Sequence, residues 1–312
     1  MQKSLVTIFV LGSLAAQADV LTPFQRFFGV GGQYPEYTEE DGQVSASAID
    51  QAPYSPSDSD LGVQEILVER SAKAPVIFNF NTTLLRTDNA PSGNPATDES
   101  SWVSATSFAL AWRPHVANGW FADVGLGQDF LRYDRDNAVD FENSSFRLGT
   151  FKVLPDLDDT IVFVRYEYQR ITSTSLSDGD YNAQRIRAGL QKVLWAAPRH
   201  QITGSLSGAY EWSAQPSLLE RNEAALDIAY RYSITDSLHA SASARVSRFS
   251  FDRFGRDDWT YGTALELIWQ IDQNFLISAS LLFDKNDSDT FGNFNEYESW
   301  SAGLGIGAQW TF

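Results

Sequence analysis

From residue 75 to its end the chain alternates polar and apolar positions in runs of roughly 10–14 residues, each closed by turn-forming residues. A period of two is the signature of β-strands whose two faces meet different surroundings. Two kinds of connection alternate between the runs. Compact ones fall at 114–119, 155–159, 196–199, 235–237 and 272–274. Longer or more acidic ones fall at 87–100, 134–140, 173–180, 213–219, 251–257 and 286–296. Together they predict about twelve strands, with both ends of the region on the short-turn side. The strands share a pattern and not a repeated sequence, which excludes a solenoid or propeller.

The aromatic spacing says which face is which. Trp102 and Trp112, Trp259 and Trp269, and Trp300 and Trp310 are each ten residues apart, and Trp120 with Phe130 repeats the interval. An even interval keeps both rings on one face. Ten steps of ~3.3 Å, tilted by ~40°, rise ~25 Å, the height of the apolar band between aromatic girdles on a membrane barrel. Between the rings the same parity is apolar or small, as in Leu265 and Leu267, or Ala302, Leu304, Ile306 and Ala308. A soluble sandwich also alternates, but nothing in it requires aromatics at both ends of one face. The expected fold is therefore all-β: a transmembrane, antiparallel, up-and-down barrel of about twelve strands over 75–312.

Upstream the pattern changes. Lys3, an apolar run from Leu5 to Ala15, and Ala16-Gln17-Ala18 before Asp19 form the charge, core and small-x-small order of a secretory signal peptide, expected over 1–18. That apolar run is short of the ~20 residues a spanning helix needs. Residues 19–74 are acidic and rich in Ser, Pro and Gly, without sustained period. They are expected to be an irregular periplasmic segment or a plug for the barrel lumen.

Composition narrows the chemistry. There is no cysteine, which removes disulfides, thiol catalysis and thiolate metal sites, and fits export through an oxidising periplasm. A formal charge of −17 leaves nothing to neutralise a phosphate backbone, so nucleic acid is not an expected partner. The run from Asp284 to Asp289 does not put Gly and the terminal acid at EF-hand positions. No cofactor or metal is expected, beyond loose divalent binding among acidic loops and lipopolysaccharide phosphates. Gly303, Gly305 and Gly307 resemble part of a dinucleotide fingerprint, but no helix can follow them. They face inward, where they let neighbours approach the wall.

The last strand carries the most specific motif. Trp300, Ala302, Leu304, Ile306, Ala308, Trp310 and Phe312 share one face, and Phe312 ends the sequence. In this the chain resembles the Gram-negative outer-membrane β-barrel superfamily, porin-like members included, whose closing strand ends in an aromatic. The resemblance implies the bacterial outer membrane as location. It also implies the β-barrel assembly machinery as partner, reading Trp310 and Phe312, with outer-membrane lipid and lipopolysaccharide around the barrel.

Outward tryptophans make the opposite parity lumenal. It holds Asn79, Asn81 and Thr83 and a charged set: Asp123, Asp129, Arg147, Arg165, Glu167, Arg185, Arg187, Glu211, Asp227, Arg231, Arg245 and Glu266. Arg at a lipid midplane costs ~2–4 kcal/mol, so charge belongs inside. Arg147, Arg165, Arg185 and Arg187 lie on three consecutive strands and are expected to form a basic wall, faced by an acidic one of Glu211, Asp227 and Glu266. Such walls set selectivity in a pore, here a narrow passive channel for small hydrophilic solutes in which the arginines favour anions. The alternative is that these residues pair and fill a non-conducting structural or adhesion barrel. An enzyme is not expected. Barrel enzymes that pair His with Ser or Asp work near the outer rim, whereas His115, His200 and His239 all fall by short turns. An autotransporter translocator would need a longer upstream passenger than 19–74.

Overall fold

The computed structural model describes residues 76–89, 100–135, 140–172, 179–251, 253, 255–289 and 296–312, with the backbone of 36–37 and 44–45. The expected signal peptide at 1–18 and nearly all of 19–74 lie outside the described residues. Glu36–Tyr37 and Val44–Ser45 pair with each other in a two-residue ladder.

Twelve antiparallel strands form one closed sheet: β1 (Val76–Thr87), β2 (Ser101–Trp112), β3 (Trp120–Tyr133), β4 (Phe141–Leu154), β5 (Thr160–Thr172), β6 (Gly179–Ala197), β7 (His200–Gln215), β8 (Asn222–Ser233), β9 (Leu238–Phe251), β10 (Arg256–Gln270), β11 (Phe275–Ser288) and β12 (Tyr297–Thr311). Each pairs with its neighbours in sequence, and β12 returns to β1 from Ser301↔Thr87 to Thr311↔Ile77. The Phe312 and Val76 backbones exchange hydrogen bonds of 2.9 and 3.2 Å, so pairing runs to the last residue. Closure removes the open edges that an unclosed sheet would expose. Among the described residues no helix is long and apolar enough to cross a membrane.

The outward face is the one the tryptophans mark. Trp102, Trp112, Trp120, Trp259, Trp269 and Trp300 are exposed, as are Leu265, Leu267, Leu304 and Ile306 between them. Trp310 packs against Phe78 and Phe275 at centroid distances of 5.7 and 5.8 Å. Residues of the other parity are buried or half-buried, including Asn79, Asp123, Arg187 and Ser299.

Three connections differ from expectation. The 114–119 turn contains a small hairpin of its own. Pro114 ends β2, His115–Ala117 forms a three-residue stub, and Asn118-Gly119, with φ of 42° and 76°, turns the chain into β3. Positive φ at both central residues is the tight hairpin geometry that Asn-Gly favours. At the opposite rim, β9 and β10 run to Phe251 and Arg256, leaving only 252–255 between them. Likewise β11 runs to Ser288, so Asp284 to Ser288 belong to a strand and not to a loop.

Candidate functional site

Small residues keep the middle of the lumen open. A cavity of about 390 Å³ there is lined from β1 through β11, by Asn79 and Asn81 on one side, Ser205, Ser207, Ser278 and Ser280 on another, and charged side chains between. Above it, toward the rim of the longer connections, the inward parity turns apolar. Leu85, Val103, Leu131, Tyr133, Phe141, Ile171, Tyr181 and Leu282 belong to one buried cluster, with Ile171 and Tyr181 fully buried. At that rim Arg256 stacks on Phe251 at 3.7 Å and Arg221 on Phe249 at 4.3 Å. Below the cavity, on the short-turn side, Phe121 and Phe151 stack at 4.8 Å with 7° between planes, beside Val153, Ile161 and Phe163.

Strand register assembles the charged groups. Arg165 lies directly opposite Arg187, and Glu167 directly opposite Arg185. Two arginines face to face repel, and Glu167 resolves the conflict. Its carboxylate accepts from Arg165 Nε at 2.5 Å, Arg185 Nε at 2.6 Å and Arg187 Nε at 3.3 Å. Arg187 also reaches over β7, where the intervening residue is Ala209, to Glu223 at 2.7 Å. A longer side chain at Ala209 would block that reach. Glu223 then binds Arg245, which bonds its cross-strand partner Asp227 at 3.2 Å. A second cluster holds Asp123 between Arg113 and Arg147, at 3.2 Å from each.

The four expected arginines thus share one sector, but it is not a purely basic wall. Asp123 and Glu167 are interleaved with them, because burying several guanidinium groups together needs counter-charge. Nor is the acidic set a separate wall: Glu211 is the cross-strand neighbour of Arg185 and accepts from Tyr181 Oη at 3.2 Å, and Asp227 is paired with Arg245. What survives is an imbalance. Along the cavity β2–β6 and the turn after β2 contribute Arg113, Arg147, Arg165, Arg185 and Arg187 against Asp123, Asp129 and Glu167. Strands β7–β11 contribute Arg245 against Asp227 and Glu266. Arg147 and Arg165 are the exposed cations of the first group, each with 31 % of its side chain accessible, against 11 % and 5 % for Arg185 and Arg187. Arg147 lies flat on the wall: a Cβ on Gly125 would stand 2.6 Å from its Nε. Asp129 and Glu266 accept from Asn143 at 2.9 Å and Ser241 at 3.3 Å, with no cation partner among the described residues.

Sequence reasoning missed Glu223, Arg113, Arg221, Arg256 and Asp258. Glu223 has the same parity as Asp227, a signal that was available. Arg256, 2.9 Å from Asp258, lies where β10 continues into a predicted loop. The histidines sit by the short turns. His115 packs on Phe121, His200 stacks on Tyr232 at 4.8 Å, and His239 Nδ1 is 3.1 Å from Ser233 Oγ.

No family model matches the chain, and no curated protein does. Solved structures do. An outer membrane channel from Pseudomonas putida F1 superposes with a TM-score of 0.55 at 8% identity, over 76% of this chain and 96% of that one. This is the outer-membrane β-barrel fold. The KdgM porin, solved with disordered oligogalacturonate, matches with a TM-score of 0.42 at 7% identity, over 75% of this chain and 99% of its own. The NanC porin matches at 0.42 and 12% identity, over 73% and 98%. Shared fold at such identity does not carry a solute from one barrel to another.

Proposed function

We propose that this barrel resides in the bacterial outer membrane as a narrow, passive, porin-like channel for small hydrophilic solutes, anions preferred. The carrying observation is the polar cavity at mid-barrel, where Arg147 and Arg165 are the exposed cations and Arg147 is laid against the wall over Gly125. A barrel filled only for stability has no need to flatten an arginine and leave space beside it. Excess positive charge along a low-dielectric passage raises the local concentration of anions. The fold shared with the Pseudomonas putida channel supports the same reading. In this reading the outward tryptophans sit at the two lipid interfaces, lipopolysaccharide surrounds the outer half, and the assembly machinery reads Trp310 and Phe312 on the closing strand.

The apolar cluster around Ile171 and Tyr181 favours a second reading, a barrel closed near its outer rim with a structural or adhesive role. Planar-bilayer recording separates the two. The channel reading predicts discrete single-channel steps, with a reversal potential on the anion side in a KCl gradient. Silent bilayers containing folded protein would leave the closed barrel.

A further inference from the structure

The cavity is chemically one-sided, and we propose that it selects small organic anions with an apolar body, such as aromatic or alicyclic monocarboxylates, over inorganic anions and over neutral solutes. The inference rests on the reading that solutes reach this cavity. Its polar half is the pair of exposed cations. Arg147 lies opposite Glu167 and diagonal to Arg165 across β4 and β5, a separation of ~7–8 Å between backbones that two long side chains easily close around one carboxylate. The neighbouring carboxylates do not cancel them. Asp123 is already shared by Arg113 and Arg147, and Glu167 by Arg165, Arg185 and Arg187.

The apolar half adjoins these cations directly. Phe151, Ile161 and Phe163 line the same cavity, and Arg165 Cζ stands 5.1 Å above the Phe163 ring. Gly189 gives that ring its place: a Cβ there would come within 2.7 Å of Phe163 Cζ. The ring therefore rests on β6 with Arg165 beside it, and the stacked Phe121 and Phe151 back the patch. An inorganic anion uses only the guanidinium groups and leaves the aromatic surface wet. A neutral ring uses only the patch. An anion with a hydrophobic body uses both, and burying one ring is worth ~1.5–3 kcal/mol, at least about tenfold in affinity. The volume of about 390 Å³ lies at the small end of ligand cavities.

The test is equilibrium binding to the full-length protein in detergent by calorimetry, with three probes: benzoate, acetate (same head, no body) and benzyl alcohol (same ring, no charge). Benzoate should bind at least about tenfold more tightly than either. Phe163→Ala should bring benzoate down to the acetate level. Arg165→Gln, or Arg147→Gln should the first variant not fold, should weaken benzoate and acetate alike. Equal binding of benzoate and acetate by the native protein overturns the inference, as does a benzoate preference that survives Phe163→Ala. Because binding needs no conduction, benzoate selectivity in a silent barrel would support the inference while removing the channel. Anion currents without benzoate selectivity would do the reverse.

Discussion

The lumen has two walls that both rely on small residues and differ in what those residues stand beside. On β3–β6, Gly125 makes room for the Arg147 side chain, and Gly189 for the Phe163 ring together with the Leu206 carbonyl of the next strand. On β10–β12, inward residues are themselves small, with Ser278, Ser280, Ser301 and Gly303; Gly305 makes room for the Ser278 and Thr83 hydroxyls, and a Cβ on Gly303 would collide with the Leu84 carbonyl oxygen across the closing seam. Charge follows the same division. On the first wall Asp123 and Glu167 are bound by arginines and Asp129 accepts from Asn143, whereas on the second Glu266 accepts from Ser241 with no cation partner among the described residues. One wall carries chemistry, and the other lets the barrel close.

The largest expected effect breaks this comparison at its carboxylates. Glu167→Gln leaves the accessible Arg165 and the buried Arg185 and Arg187 without their common partner and should cost ~3–5 kcal/mol, read from the urea midpoint in lipid vesicles. Glu266→Gln removes a charge that no arginine holds, and should change that midpoint by no more than ~0.5 kcal/mol. Similar losses in both would mean that pairing does not distinguish the walls.

The glycines give the next effect. Gly303→Ala pushes a methyl group into backbone and should cost ~1–3 kcal/mol, seen as a smaller fraction of barrel that stays folded in unheated SDS. In Gly125→Ala the obstacle is the flexible end of Arg147, which can swing away. Stability should change by under ~0.5 kcal/mol, while unit conductance falls as the guanidinium enters the passage. A stable Gly303→Ala would show that the seam tolerates more than its spacing implies.

The smallest effect lies above the charged wall, where Asp134 follows β3. Its carboxylate accepts from Ser101 Oγ at 2.6 Å and the Trp102 N–H at 2.9 Å, and these bonds hold it below the usual carboxylate range. A depressed value means that the stabilisation is complete above the unfolded pKa of ~3.9 and disappears as pH falls through the lower folded value. The Trp102 amide resonance should therefore titrate with a midpoint below ~3.9. A midpoint above it would show that the loop contact does not persist in solution.

The architecture was readable because its signals are local. Parity and the ten-residue aromatic interval identify the outward face strand by strand, and turn chemistry counts the strands. Pairing inside the lumen is not local. Arg187 meets Glu223 only because register sets both beside Ala209, and no pattern within one strand states that alignment. The interleaved acids were visible as residues, but their effect on the four arginines depends on side-chain reach. Arg256 was hidden for another reason: it stood in a charged run expected as a loop, where the strand in fact continues.

The central claim is that the β3–β6 wall presents accessible positive charge to the solute path, and ion selectivity tests it most directly. Native protein in a planar bilayer under a KCl gradient should give a reversal potential of anion-selective sign, and Arg147→Gln/Arg165→Gln should move it toward the cation side. A native reversal potential on the cation side, or one unmoved by losing both arginines, would contradict the account.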